Sequence, residues 1–253
     1  MQISSIYLFS TLLIGLIVMV CYSVETMTGF GSTILALPLC ILIIGITEAI
    51  PVLTLLSLLL SLILVLINFK DIQWSQFAII ACLLIVGMPI GFWCFDNLDQ
   101  KVLKLVLGIV IIIISLRGLM ERMPRRLRVS QSIKPPSWAL IPNLVLGGVV
   151  HGAFSSGGPF VVAYAVKKIK DRQKFRATIQ LLWLALNSIV IIKYAISGAL
   201  NKAILVRTVF SIPFLLAGLL IGNFLHNKIN QKQFVILLYI VIFISGLIMV
   251  LSR

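Results

Sequence analysis

The sequence predicts an all-α polytopic membrane protein built as two inverted repeats, each a helical hairpin or broken-helix pair plus three transmembrane helices. Three observations predict it. Of the 253 residues, 60% are hydrophobic and only 11% are charged, whereas a soluble domain carries roughly a quarter charged residues. Several apolar runs reach the ~20 residues that a helix needs to cross a bilayer. They are continuous rather than alternating, which excludes a porin-like barrel. Two glycine-rich interruptions fall at matching places in the two halves, Thr28-Gly29-Phe30-Gly31-Ser32-Thr33 and Ser155-Ser156-Gly157-Gly158-Pro159.

The first repeat is placed at 1–119. Ile6–Val24 forms one apolar leg, followed by Glu25 and the first interruption, and Ile34–Ile46 forms a second leg containing Pro38. Thr47-Glu48 reads as a short polar turn. Helices are then expected over Pro51–Ile67, Phe77–Phe95 and Val102–Leu119. The basic stretch 120–137 reads as a linker. The second repeat, 138–253, follows the same plan: legs Trp138–Phe154 and Phe160–Val166, then helices over Ala177–Ser197, Ile204–Leu225 and Phe234–Leu251. The two halves correspond residue by residue. Leu98-Asp99-Gln100-Lys101 aligns with Ile229-Asn230-Gln231-Lys232, and Gly87 and Gly91 align with Gly218 and Gly222. A pair of small residues four apart lets helices approach closely. Gly31 pairs with Gly157, which sets Glu25 opposite His151.

Charge fixes the expected topology. The formal net charge is +14, but six of the 21 basic residues lie between Arg117 and Lys134 and six more between Lys167 and Arg176. Both clusters sit beside apolar segments, the positive-inside pattern that places these loops in the cytoplasm. Aromatic-basic interleaving of the kind that reads nucleic acid does not accompany them. Segment 138–166 then starts and ends on one side, and Phe160–Val166 is too short to span at ~1.5 Å per residue. It reads as a re-entrant hairpin with the Ser-Ser-Gly-Gly-Pro tip inside the membrane. Three spans follow, so the two repeats should be inverted. Cys21, Cys40, Cys82 and Cys94 have no CxxC spacing and read as small apolar residues. No cleaved signal peptide is expected.

The interruptions are the candidate site. Irregular backbone inside a membrane is tolerated where protein buries it or where it lines a cavity, and paired breaks in two halves point to a transporter's binding site. A broken helix offers unpaired N–H groups and the positive end of its dipole to an anion. Thr28, Gly29, Gly31, Ser32, Thr33, Ser155, Ser156, Gly157, Gly158 and Pro159 are therefore the expected substrate-binding residues, with Asn187 from mid-span. Glu25 and His151 are candidates for carrying a coupling proton; the alternatives are a surface carboxylate and a packed histidine. Arg176 and Lys193 are candidate gate residues, or a topology determinant and a residue that snorkels to the headgroups.

The residues also resemble a family. Gly29-Phe30-Gly31-Ser32-Thr33-Ile34-Leu35-Ala36-Leu37-Pro38 resembles the glycine-rich, proline-ended first motif of the TauE/SafE sulfite-exporter-like permeases. Gly157-Gly158-Pro159-Phe160-Val161-Val162 resembles its second copy, and Lys174-Phe175-Arg176-Ala177-Thr178 is similar to the stretch that follows. Ser32, Thr33, Ser155 and Ser156 stand where that pattern is richer in glycine, and Glu25 and His151 are not part of it. The resemblance implies movement of sulfite, organosulfur compounds or other small organic anions across the cytoplasmic membrane.

A multi-pass permease of the cell inner membrane is thus expected, carrying a small anion. Its partners would be the lipid bilayer and H+ or Na+ as coupling ion, with no nucleic acid and with a homo-oligomer left open. A membrane-embedded enzyme and a non-transporting assembly subunit are the competing classes. No HExxH, GxSxG or Walker A pattern occurs, so no metal, cofactor or ATP chemistry is expected of this chain.

Overall fold

The computed structural model describes residues 2–122 and 141–225, together with individual helical positions between 240 and 251. Most of the linker 120–137, Trp138, the tetrapeptide Ile229–Lys232 and most of the helix expected at Phe234–Leu251 lie outside the described residues. The rest is helical: α1 Gln2–Thr28, α2 Ser32–Ile44, α3 Ile46–Asn68, α4 Trp74–Asn97, α5 Gln100–Arg122, α6 Ile141–Phe154, α7 Gly158–Lys168, α8 Arg172–Ile196 and α9 Lys202–Leu225. A single 3-10 turn, Phe69–Asp71, follows α3.

Six of the described helices are long and apolar enough to cross a bilayer: α1, α3, α4, α5, α8 and α9. The protein is an all-α, multi-pass membrane protein. Its outer face carries large apolar side chains such as Leu66, Val86, Trp93, Leu220 and Phe224, each more than half exposed. On a water-facing surface such a belt would be an aggregation hazard; here it faces lipid. α2, α6 and α7 have 13, 14 and 11 residues, which at ~1.5 Å per residue is too short to cross ~30 Å of hydrocarbon.

Glycine geometry sets where helices stop. α1 runs past the expected end of its apolar leg, because Glu25-Thr26-Met27-Thr28 continue the helix. Gly29 and Gly31, at φ 88° and 105°, then break it. Only glycine adopts that region without strain. Glu25 is thus inside α1 and buried, not in a polar break after it. The next turn lies at Gly45, φ 78°, rather than at Thr47-Glu48. Those two residues begin α3, where an acid in the first turn suits the helix dipole. Glu48 also pairs with Arg207 of α9 at 3.3 Å.

α3 is the core helix. Ile46, Ile50, Leu53, Leu56, Leu60 and Leu64 recur at spacings of three and four and are fully buried, one continuous apolar stripe. α8 packs against it, and polar side chains cross between them: Asn187 donates to Ser57 at 3.1 Å, and Ser61 donates to Gln180 at 2.9 Å. Two glycine seams hold the outer helices. In α4, a Cβ on Gly87 or Gly91 would lie 2.1 Å from the carbonyl oxygen of Val145 or Val149 in α6. In α9, a Cβ on Gly218 or Gly222 would lie 2.6 Å from the carbonyl oxygen of Met19 or Ser23 in α1. Backbone meets backbone in both places, and a side chain there would push the helices apart.

Candidate functional site

The two interruptions form hairpin tips that meet inside the molecule. At the first, α2 starts from Gly31; at the second, α7 starts from Gly157. Both N-cap residues are glycines, which have no side chain to cap with. This differs from α8, where the Asp171 carboxylate accepts the Lys174 N–H at 2.8 Å. The first N–H groups of an uncapped helix have no intrahelical partner and carry the positive end of the dipole. Ser155 adopts φ 51°, the left-handed region that side chains disfavour. It is fixed there by a 2.8 Å hydrogen bond with the Thr54 hydroxyl of α3.

A pocket lies between the tips. Gly31, Thr33 and Ile34 line it from the first, Ser155, Ser156 and Gly158 from the second. Glu25 of α1, Ser57 of α3, His151 of α6, and Trp183 and Asn187 of α8 complete it. Its volume is about 20 Å³, room for about one water molecule, so this conformation is closed around its site. Three buried polar atoms of the lining have no hydrogen-bond partner: Nε2 of His151, Oγ of Ser156 and Oδ1 of Asn187. Leaving such a group unpaired costs on the order of 1–3 kcal/mol, which a polar ligand in the pocket would offset.

The Glu25 carboxylate and the Trp183 indole are engaged. Ser32 donates its hydroxyl to the Glu25 carboxylate. Gln180 donates to the same carboxylate at 3.3 Å and to the Gly29 carbonyl at 3.1 Å, and the Trp183 indole donates to that carbonyl at 3.2 Å. The Gly157 N–H points to Nδ1 of His151 at 3.5 Å. His151 stacks on Trp183, with ring centroids 5.7 Å apart and planes 17° apart.

The structure therefore gathers Glu25, Gly31, Thr33, His151, Ser155, Ser156, Gly158 and Asn187 at one pocket. Thr28, Gly29, Ser32, Gly157 and Pro159 support the tips without lining it. Ser32 is spent on Glu25, Gly29 on α8, Gly157 on His151, and Pro159 opens α7 without an N–H. Arg176 and Thr28 face a different cavity, on the side of the 167–176 loop. Lys193 lies at the far end of α8, paired with Asp96 of α4 and placed 5.3–5.5 Å from the centroids of Phe92, Phe95 and Tyr194. Sequence reasoning missed Trp183 and Ser57. On α8, Arg176, Gln180, Trp183 and Asn187 recur at spacings of four, three and four, a polar stripe that marks the inward face. Among the described residues, no group of three or more His, Cys, Asp or Glu is placed to hold a metal ion.

Membrane-capable helices surrounding a closed polar pocket at two hairpin tips have the form of a membrane transporter. The family described as sulfite exporter TauE/SafE matches residues 13–249, and the chain belongs to it. It is similar to the probable inner membrane transporter protein TsaS of Comamonas testosteroni, 25% identical over 182 residues, which cover 72% of this chain and 74% of that protein. No solved structure matches the chain.

Proposed function

We propose that the protein is a secondary carrier that moves a small anion, sulfite-like, organosulfur or carboxylate, across the cytoplasmic membrane through the hairpin-tip pocket. One observation carries the reading: two helix N-termini with glycine N-caps converge on a pocket where Nε2 of His151 and the Ser156 hydroxyl are buried without partners. Helix N-termini bind anions without a fixed cation, so the ligand is held and can still be released. The similarity to TsaS, a probable inner membrane transporter protein, agrees with a carrier, and the sulfite-exporter family description agrees with an anionic cargo.

Glu25 and His151 are the titratable residues that line the pocket. An ionised Glu25 would oppose an anion beside it, and its protonation removes that opposition. Proton and anion are then taken up together, with Ser32 and Gln180 holding the carboxyl in place. Lys193 and Asp96 form an outer latch between α8 and α4.

The halves are inverted repeats on this reading, and the two seams support it. The register that pairs Gly31 with Gly157 also pairs Met19 with Val145 and Ser23 with Val149. Those are the carbonyls that the paired glycines of α9 and α4 meet. A serine-enzyme reading is weaker: Nδ1 of His151 faces the Gly157 N–H, and the Ser155 hydroxyl is bound to Thr54.

Proteoliposomes loaded with sulfite, sulfoacetate, methanesulfonate or acetate test the proposal. Saturable flux of one of these, with a matching rise in melting temperature, is the expected result. Neutral solutes crossing while every anion fails would overturn it.

A further inference from the structure

A second cavity, of about 290 Å³, opens beside the last turn of α1. Met27, Thr28, Asn68, Arg172, Gln173 and Arg176 line it, so α1, α3 and α8 all enclose it. Its neutral polar groups are already engaged. The Thr28 hydroxyl lies 2.8 Å from the carbonyls of Val24 and Phe30. Asn68 donates to the Leu64 carbonyl at 2.8 Å, and Gln173 donates to Asp71 at 2.7 Å. Among the described residues no acidic side chain lines the cavity; Asp71 is held by Gln173, and Asp171 caps α8.

The Arg176 guanidinium is the exception, with Arg172 one turn away on the same helix. Arg172 and Arg176 stand four residues apart on one face of α8, where like charges repel. Nε of Arg176 is buried and has no hydrogen-bond partner. The backbone of Arg176 is packed under the first hairpin tip: a Cβ on Gly29 would lie 3.3 Å from its Cα. Next on this face comes Gln180, which holds the Gly29 carbonyl, then Trp183 and Asn187 at the pocket.

We infer that this cavity is a second binding site, for a water-soluble oxyanion of the sulfonate or sulfite type, held by Arg172 and Arg176 on the cytoplasmic side of Gln180. An anion here gives Nε of Arg176 its missing partner. The planar fork of a guanidinium matches two oxygens of such a group. A lipid phosphate offers the same chemistry, but residues of three helices line the cavity beneath a hairpin tip, which favours the soluble anion. Its role as a staging post for cargo rests on the carrier reading; the binding itself does not.

The thiol of an Asn68→Cys variant, in a background with Cys82 and Cys94 changed to Ala, reports on the cavity wall. Its reaction is followed with the anionic sulfonatoethyl and the cationic trimethylammonium methanethiosulfonates, each rate normalised to a free thiol. The anionic reagent should be favoured by about tenfold or more, and millimolar methanesulfonate should protect against both. Arg176→Gln should lose the protection and most of the preference; Arg176→Lys should keep the preference and lose the protection. Equal rates for the two reagents, protection unchanged in Arg176→Gln, or protection only in phosphatidylglycerol nanodiscs would overturn the site. Melting of the protein without the new thiol, with and without methanesulfonate, repeats the comparison between wild type and Arg176→Gln. If anions protect but never cross proteoliposomes, the carrier reading fails and the site stands. If anions cross and none protects, the site fails and the carrier stands.

Discussion

Gln180 donates to the Glu25 carboxylate and to the Gly29 carbonyl from the same amide nitrogen, at 3.3 and 3.1 Å. One side chain of α8 thus holds both the acid of the pocket and the break that ends α1. Its own carbonyl accepts from Ser61 of α3. Gln180→Leu has nearly the same bulk but leaves the Ser61 hydroxyl and part of the Glu25 and Gly29 acceptors unpaired. Each lost buried partner costs about 1–3 kcal/mol, so a clear drop in melting temperature is expected, together with leak flux past the end of α1. A variant with wild-type melting and wild-type flux would show that the amide is not the partition.

Glu25→Gln keeps the shape and an acceptor for Ser32 while removing the proton site. With one proton moved per anion, a pH difference of one unit sustains about tenfold accumulation, with the anion gathering on the alkaline side. In Glu25→Gln that ratio should fall to one while exchange of anion for anion continues. Proteoliposomes with imposed pH gradients read both quantities, and an unchanged gradient response would remove Glu25 from the coupling scheme.

Ser156→Ala separates binding from stability. The hydroxyl is buried without a partner, so its removal should leave the melting temperature unchanged or raise it. A hydrogen bond to a charged ligand contributes about 1.5–3 kcal/mol, so the KM for the anion should rise roughly tenfold or more. Ser155→Ala should behave in the opposite way, lowering stability through the lost bond to Thr54 with a smaller effect on affinity. Complete loss of activity in Ser156→Ala at saturating anion would point to chemistry instead of transport.

Two glycine substitutions should differ in mechanism. Gly87→Ala drives a methyl group to within 2.1 Å of the Val145 carbonyl oxygen, and overpacking of this kind costs about 1–3 kcal/mol. Gly31→Ala meets nothing within 4 Å but sits at φ 105°, where a side chain costs roughly 1–2 kcal/mol of backbone strain. Both should melt lower than wild type. Gly31→Ala, at the start of α2, should also weaken anion binding, while Gly87→Ala should leave the affinity of the folded fraction unchanged. Melting and ligand titration on the same samples check the distinction.

Membrane class, most spans and both interruptions were legible in the sequence, because long apolar runs and glycine-rich breaks are local signals. The lining of the candidate pocket was legible in part. Side chains two to four residues from a positive-φ glycine can face opposite sides, so the sequence did not separate Thr33, in the pocket, from Thr28, in the arginine-lined cavity. Ser57 and Trp183 reach the pocket through the packing of α3 on α8, which has no local signature. The turn expected at Thr47-Glu48 was misplaced for a related reason. Polar residues suit a helix start as well as a loop, and the φ of 78° that makes the turn belongs to Gly45.

The two glycine seams also constrain how the chain comes into being. α4 completes its seam with α6, and α1 completes its seam with α9, so each half supplies the partner the other lacks. As the chain emerges from the ribosome, α1 enters the bilayer with its groove at Met19 and Ser23 unfilled. It waits for Gly218 and Gly222, which lie far along the chain in the second half. The first half is therefore an unfinished object until the second is made, held by lipid or by the insertion machinery rather than by its own contacts. Two halves made as separate chains would be expected to mature only when they meet.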